Sequence, residues 1–168
     1  MTRRRNPLLP RTLNEIIRAS ITTTSELKTL CNALGFDPII KLIDHITPQE
    51  YTSGQPIIAN IDHEMAGGTH WVAIIGFPWG SFYFDPFGLP PARDNIAGID
   101  NDGHMFWNDV QIQSTRSGGC GNYCALWLHY TLPEVGDGHE GDLPSKFFEE
   151  MDMHPLWVQE GFGSYSVL

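Results

Sequence analysis

The stretch from Gln113 to Tyr130 limits the folds open to this chain more than any other. A strand-like lead, Val110 to Gln113, enters a loop of small residues. The loop delivers Cys120 to the head of an apolar run that reads as a buried helix. A helix N-terminus points unpaired N–H groups at whatever sits there, so a thiolate at that position is stabilised. Gly118, Gly119 and Gly121 remove side chains around the sulfur and let another backbone approach. Gln113 carries an amide N–H2 suited to an oxyanion. A cysteine heading an apolar helix is equally at home as a packing residue. The choice between the two rests on finding a base elsewhere in the chain.

Composition narrows the classes. The 168 residues suit one domain, with residues 1–11 as a flexible basic tail and 12–168 as the folded unit. No apolar run approaches membrane-spanning length, and no apolar segment follows the Arg3-Arg4-Arg5 start as a secretory signal requires. Three cysteines fit a reducing compartment better than a disulfide framework. The formal net charge is −10, yet five of the ten basic residues lie in the first eighteen positions. Setting these and Glu15 aside leaves five bases against nineteen acids, a net of −14. Such a body repels nucleic acid, and contact is expected to be no more than weak, through the N-terminal arginines.

Along the chain, Leu13, Ile16 and Ile17 suggest a short amphipathic helix. Thr23 and Glu26 have capping-box spacing, and Leu27, Leu30, Cys31 and Leu34 follow at helical intervals, which predicts a helix over 24–34 stopped by Gly35. Residues 36–55 are mixed. Strands are predicted at 57–61, 70–75, 81–85 and 110–113, with a turn at 76–80 and a long connection at 86–109 carrying at most one short helix. The Cys120 helix is expected to give way to a polar, turn-rich stretch at Pro133. Ser145 to Met151 reads as a last helix, and the final residues, with Trp157, Phe162 and Tyr165, as an edge strand. The pattern is α+β: strands clustered centrally, helices towards both ends.

Among seven histidines, His70 stands out because it opens a strand directly after Gly67-Gly68, while Asp85 closes the next strand. If that hairpin turns about Phe77-Pro78, then Ile75 faces Gly80 and His70 faces Asp85 as a direct cross-strand partner. The carboxylate would fix the imidazole tautomer and stabilise the imidazolium. A purely structural His–Asp pair is the alternative reading of the same residues. Metal ligation is not expected, because the Cys120–Cys124 spacing has no second close pair of ligands.

Taken together, Gly67-Gly68-Thr69-His70-Trp71, Phe84-Asp85-Pro86-Phe87-Gly88, Gln113 seven residues before Cys120, and the segment Cys120 to His129 resemble the adenovirus-type maturation cysteine proteases. Related enzymes of virophages and polinton-like elements share the pattern. The order His, acid, Gln, Cys is that of the wider clan that includes ubiquitin-like-protein proteases. The resemblance runs over about residues 24–132. It implies a papain-like, adenain-like fold: a central, mostly antiparallel sheet with helices on both sides and the nucleophile at a buried helix N-terminus.

Carried over by residue, it implies Cys120 as nucleophile, His70 as general base and acid, and Asp85 as the group orienting His70. Gln113 and the Cys120 backbone N–H would form the oxyanion hole. Gln111 lies on the same strand face, and spacing alone selects Gln113. Gly68, Trp71 and Gly119 are expected to line the substrate site, with Trp71 sheltering the His70 ring. The implied activity is endoproteolysis of viral capsid or core precursors at Gly-containing sites during virion maturation, by a monomer in the virion and the infected cell. A deubiquitinase or ubiquitin-like deconjugase is the alternative within the clan, and a non-catalytic capsid-associated module is the alternative outside enzymes.

Two departures stand out. Asp85 occupies a position where the adenovirus enzyme usually carries Glu. That enzyme is also basic and is activated by DNA with a disulfide-linked peptide, whereas this chain is acidic and shows no equivalent of the anchoring cysteine. No cofactor and no strong DNA activation are therefore expected, with a peptide activator left open.

Overall fold

β3 (Gly68–Phe77) is the spine of the molecule. Every residue from His70 to Phe77 is buried, and successive side chains feed opposite faces of one sheet. Trp71, Ala73, Ile75 and Phe77 enter one apolar cluster, while Val72 and Ile74 enter another. A strand covered on both faces needs a continuous apolar run, which is what this segment offers. The computed structural model describes residues 23–63, 68–92, 104–108, 111–112, 120–136, 143–152 and 166–167.

The sheet has six strands in sequence order: β1 (Ile39–Leu42), β2 (Ile57–His63), β3, β4 (Gly80–Phe84), β5 (His104–Trp107) and β6 (Ser166–Val167). β1–β2 and β4–β5 are parallel, and the other three joins are antiparallel. On one face lie α1 (Thr24–Ala33), the long helix α3 (Cys120–Val135) and α4 (Lys146–Asp152). There Trp127 of α3 stacks on Phe84 of β4 at 5.2 Å, with Leu27 and Phe147 in the same cluster. The opposite face is covered by a 3-10 turn at Ile43–His45 and the one-turn helix α2 (Pro48–Tyr51), through Ile43, Ile46 and Tyr51. The expected α+β architecture is present, with a mixed sheet.

Local chemistry explains the helix ends. Thr23 Oγ1 accepts the Glu26 N–H at 3.1 Å and starts α1 where the sequence predicts it. α2 has a full capping box: Thr47 Oγ1 accepts the Glu50 N–H, and Glu50 Oε1 accepts the Thr47 N–H. α3 runs past its expected stop at Pro133 and ends at Gly136, whose φ is 52°. Pro133 sits in the last turn, so it forfeits one helical donor without breaking what precedes it. The Glu134 carboxylate then accepts the N–H groups of Ser145 and Lys146, tying the start of α4 to the end of α3.

Three sequence expectations are corrected. First, the β3–β4 hairpin pairs Phe77 with Gly80 and Ala73 with Phe84, two positions away from the register that would set His70 opposite Asp85. Gly76 is the cause. Read as a turn residue, it is instead a strand residue paired with Ser81, and it is glycine because a Cβ there would run into the Tyr51 carbonyl oxygen. The strand therefore continues to Phe77, and Pro78-Trp79 makes the turn. Second, a strand lies inside the expected 86–109 connection, since β5 pairs in parallel with β4. Third, Gln111 and Ile112 are not in a strand; the Ile112 N–H instead donates to the Pro86 carbonyl at 2.8 Å. β1 and α2 are further elements within the stretch read as mixed. The tail expected at 1–11, the helix expected about Leu13 to Ile17, and Trp157, Phe162 and Tyr165 lie outside the described residues.

Candidate active site

The site is assembled where β3 begins and β4 ends. His70 is the third residue of β3 and is 5% exposed; Asp85 follows β4 directly and is 3% exposed. Their side chains meet, with His70 Nε2 2.9 Å from Asp85 Oδ1. The register correction does not separate them, because a shift of two preserves which face a side chain occupies.

Asp85 opens a turn whose sequence suits it. Pro86 takes the second position, and the Gly88 N–H closes back on the Asp85 carbonyl at 2.8 Å with Gly88 at φ 70°. Asp85 Oδ1 also accepts the Phe87 N–H at 2.8 Å, an Asx-type bond that fixes the carboxylate. The turn brings the Phe87 ring over His70, stacked at 4.6 Å with 14° between planes. Asn108, fully buried one residue past β5, grips Asp85 from the other side. Its Oδ1 accepts the Asp85 N–H at 2.7 Å, and its Nδ2 donates to the Asp85 carbonyl at 2.6 Å.

α3 begins at Cys120 and lays its first turn on the strand next to His70. A Cβ on Gly121 would stand 3.4 Å from Leu27 and 3.5 Å from the Trp71 ring. The residue that follows His70 thus packs beneath the helix N-terminus, in buried contact with it. Nε2 of His70 is committed to Asp85, and Nδ1 is the ring's second nitrogen.

Comparison with known proteins finds two similar chains. The chain is 30% identical over 128 residues to the protease of Bovine adenovirus C serotype 10, covering 64% of this chain and 65% of that one. It is 28% identical over 89 residues to the protease of Bovine adenovirus 2, covering 43% of each. The chain is thus similar to two adenovirus proteases. It spans less than two thirds of the length of these curated relatives. No family model matches it, and no solved structure matches it.

The cysteines divide sharply. Cys31 is fully buried on α1, and burial, with a smaller contribution from Asp37, pushes its thiol up to about 12. Cys124, one turn into α3, is also fully buried, and its Sγ donates to the Trp71 carbonyl at 3.4 Å. Both are core residues, as their apolar spacing predicts. The Cys120 side chain, Gln113 and Gly119 lie outside the described residues, as do residues 64–67; Gly68 pairs with His63 at the end of the β2–β3 ladder. Gln111 is exposed. Among the described residues no group of three or more His, Cys, Asp or Glu could hold a metal ion, and no helix is long and apolar enough to cross a membrane.

Sequence reasoning missed Asn108 and gave Phe87 no role. Asn108 lies in a stretch rich in Gly, Asp and Asn that reads as loop. The four-residue strand before it, with Met105, Phe106 and Trp107, was the available signal.

Proposed function

We propose that the chain is a cysteine endopeptidase with Cys120 as nucleophile. The observation that carries this is the buried 2.9 Å pair of His70 and Asp85, with Trp71, the next residue after His70, packed under the first turn of the Cys120 helix. In the proposed reaction, Cys120 gives its proton to His70 Nδ1, and Asp85 stabilises the resulting imidazolium. The thiolate adds to the scissile carbonyl carbon. The Gln113 amide and the Cys120 backbone N–H hold the oxyanion. The C–N bond breaks as His70 protonates the leaving amine. Water, deprotonated by His70, then hydrolyses the thioester and restores the thiol. The papain-like arrangement of nucleophile and oxyanion hole belongs to this proposal.

The substrates proposed are viral capsid or core precursors cut at Gly-containing sites in the virion or infected cell, in keeping with the similarity to two adenovirus proteases. The Gly-rich approach to Cys120 favours a narrow slot that rejects bulky side chains near the cut. The acidic body argues against DNA as a strong activator.

The test is cleavage-site profiling on a peptide library and a denatured proteome, comparing the native chain with Cys120→Ala. Cuts after Gly-containing sites, lost in the variant, are the expected result. Duplex DNA at physiological salt should raise the rate by less than about tenfold. Silence on peptides together with release of ubiquitin from intact conjugates would replace this reading with the deconjugase. Silence on both, with Cys120 alkylated at pH 6 no faster than Cys31, would replace it with a binding module.

A further inference from the structure

We infer that Asn108 is a positioning residue for the proposed hydrolysis: its side-chain amide holds the Asp85 main chain and thereby sets the carboxylate against His70. The inference rests on the reading of His70 and Asp85 given above.

The β4–β5 ladder ends at Tyr83 with Trp107, two residues before Asp85 and one before Asn108. Past that point, no strand pairing holds the acid. The Asn108 amide stands in for the missing strand. Its oxygen takes the Asp85 N–H at 2.7 Å and its nitrogen serves the Asp85 carbonyl at 2.6 Å. Both bonds go to one residue, so the peptide units on either side of the Asp85 Cα are fixed together. The short Asp side chain then has little freedom, since Oδ1 is shared between His70 Nε2 and the Phe87 N–H. The clasp is dry, with Asn108 at 0% and Asp85 at 3% exposure.

The residue type follows from this geometry. A primary amide offers one donor and one acceptor side by side, as a peptide group does. Asp in its place would keep the acceptor but turn a carboxylate oxygen towards the Asp85 carbonyl. Leu would fill the volume, take the acceptor from the buried Asp85 N–H and leave the Asp85 carbonyl only the Gly88 N–H.

The experiment compares native protein, Asn108→Ala, Asn108→Asp, Asp85→Asn and the double variant Asp85→Asn with Asn108→Ala. Two quantities are read: kcat and KM on a peptide identified by the profiling above, and the rate of Cys120 alkylation by iodoacetamide at pH 6 relative to pH 10. Asn108→Ala should lower kcat about 10- to 100-fold while KM stays within about threefold. It should lower the pH 6 to pH 10 alkylation ratio in step. In the Asp85→Asn background the same substitution should lower kcat no further, because its effect passes through the carboxylate.

An Asn108→Ala protein that folds and keeps native kcat and alkylation ratio overturns the inference. So does an equal loss in both backgrounds, or loss of the native near-ultraviolet circular dichroism in both Asn108 variants, since Asn108 would then be a residue of general stability. If native Cys120 alkylates at pH 6 no faster than Cys31, the His70–Asp85 reading itself fails and this inference falls with it.

Discussion

The two ends of the β3–β4 hairpin are built on different principles. At the turn end, strand pairing runs out to Phe77 and Gly80, and rings carry the packing onward. Phe77 stacks on Trp79 at 5.7 Å, Trp79 meets Phe82 edge-on at 5.9 Å, and Phe82 stacks on Phe106 at 5.4 Å. At the open end the ladder stops at Ala73 and Phe84, and His70, Asp85, Phe87 and Asn108 are joined by short directional bonds. Apolar packing is roughly proportional to area and tolerates small displacements. A hydrogen-bonded constellation does not, because its strength falls steeply with angle and distance. The turn end should therefore govern stability, and the open end should govern chemistry.

The sharpest test of that division is His70→Ala. It should lower kcat/KM on a cleavable peptide by about 1,000-fold or more. Its cost in urea denaturation should stay within about 1–3 kcal/mol, as expected for one buried polar contact. At the other end, Phe82→Ala should cost about 3–5 kcal/mol, read in the same denaturation experiment. The fraction that remains folded should keep native kcat. An equal loss of kcat per folded molecule would show that the two ends are not separable.

Gly76→Ala is a smaller perturbation at the turn end. The new methyl meets the Tyr51 carbonyl oxygen, and a backbone atom cannot step aside without moving α2. A loss of about 1–3 kcal/mol is expected, again without change in kcat.

The least disruptive probe uses the buried thiol of α1. Cys31, pushed up to about 12 from 9.0, should stay unlabelled by iodoacetamide at pH 8 while Cys120 is consumed, as followed by peptide mass mapping. The folded state holds this thiol protonated. Its contribution to stability is therefore complete below pH 9.0 and is lost as pH rises towards about 12. Tyr51, held up to about 12 mainly by burial, acts in the same sense, its contribution complete below pH 10.0 and lost as pH rises towards about 12. The urea midpoint should accordingly fall between pH 8 and pH 10.5, and Cys31→Ala should make that fall shallower.

Much of this was legible in the sequence, and the misses have physical causes. The His70–Asp85 pair could be found because both residues bracket apolar strands, and period-two alternation keeps their side chains on one face even when the register is misjudged by two. The register itself was not legible. Gly76 looks like a turn residue in one dimension, and its role depends on a carbonyl that α2 brings in from another part of the chain. The α2 cap, by contrast, was written in Thr47-Pro48-Gln49-Glu50 and was obscured by its single-turn length. β5 has only four residues, and its strand character comes from a partner in β4. Asn108 is faint for the same reason: the short apolar strand before it is the one signal, and its partner lies 23 residues away across that parallel join.

That parallel join also has a consequence for how the protein comes together. A hairpin such as β3–β4 closes over a short loop. The clasp on Asp85 waits for the chain to pass through the whole 86–107 connection and return alongside β4. Contacts that close longer loops bear more entropic cost before they are rewarded. In the order of assembly, imidazole and carboxylate are neighbours early, and the acid is locked in place only when β5 docks. A chain in which β5 had not yet docked would have its core hairpin formed and Asp85 held by its own turn alone.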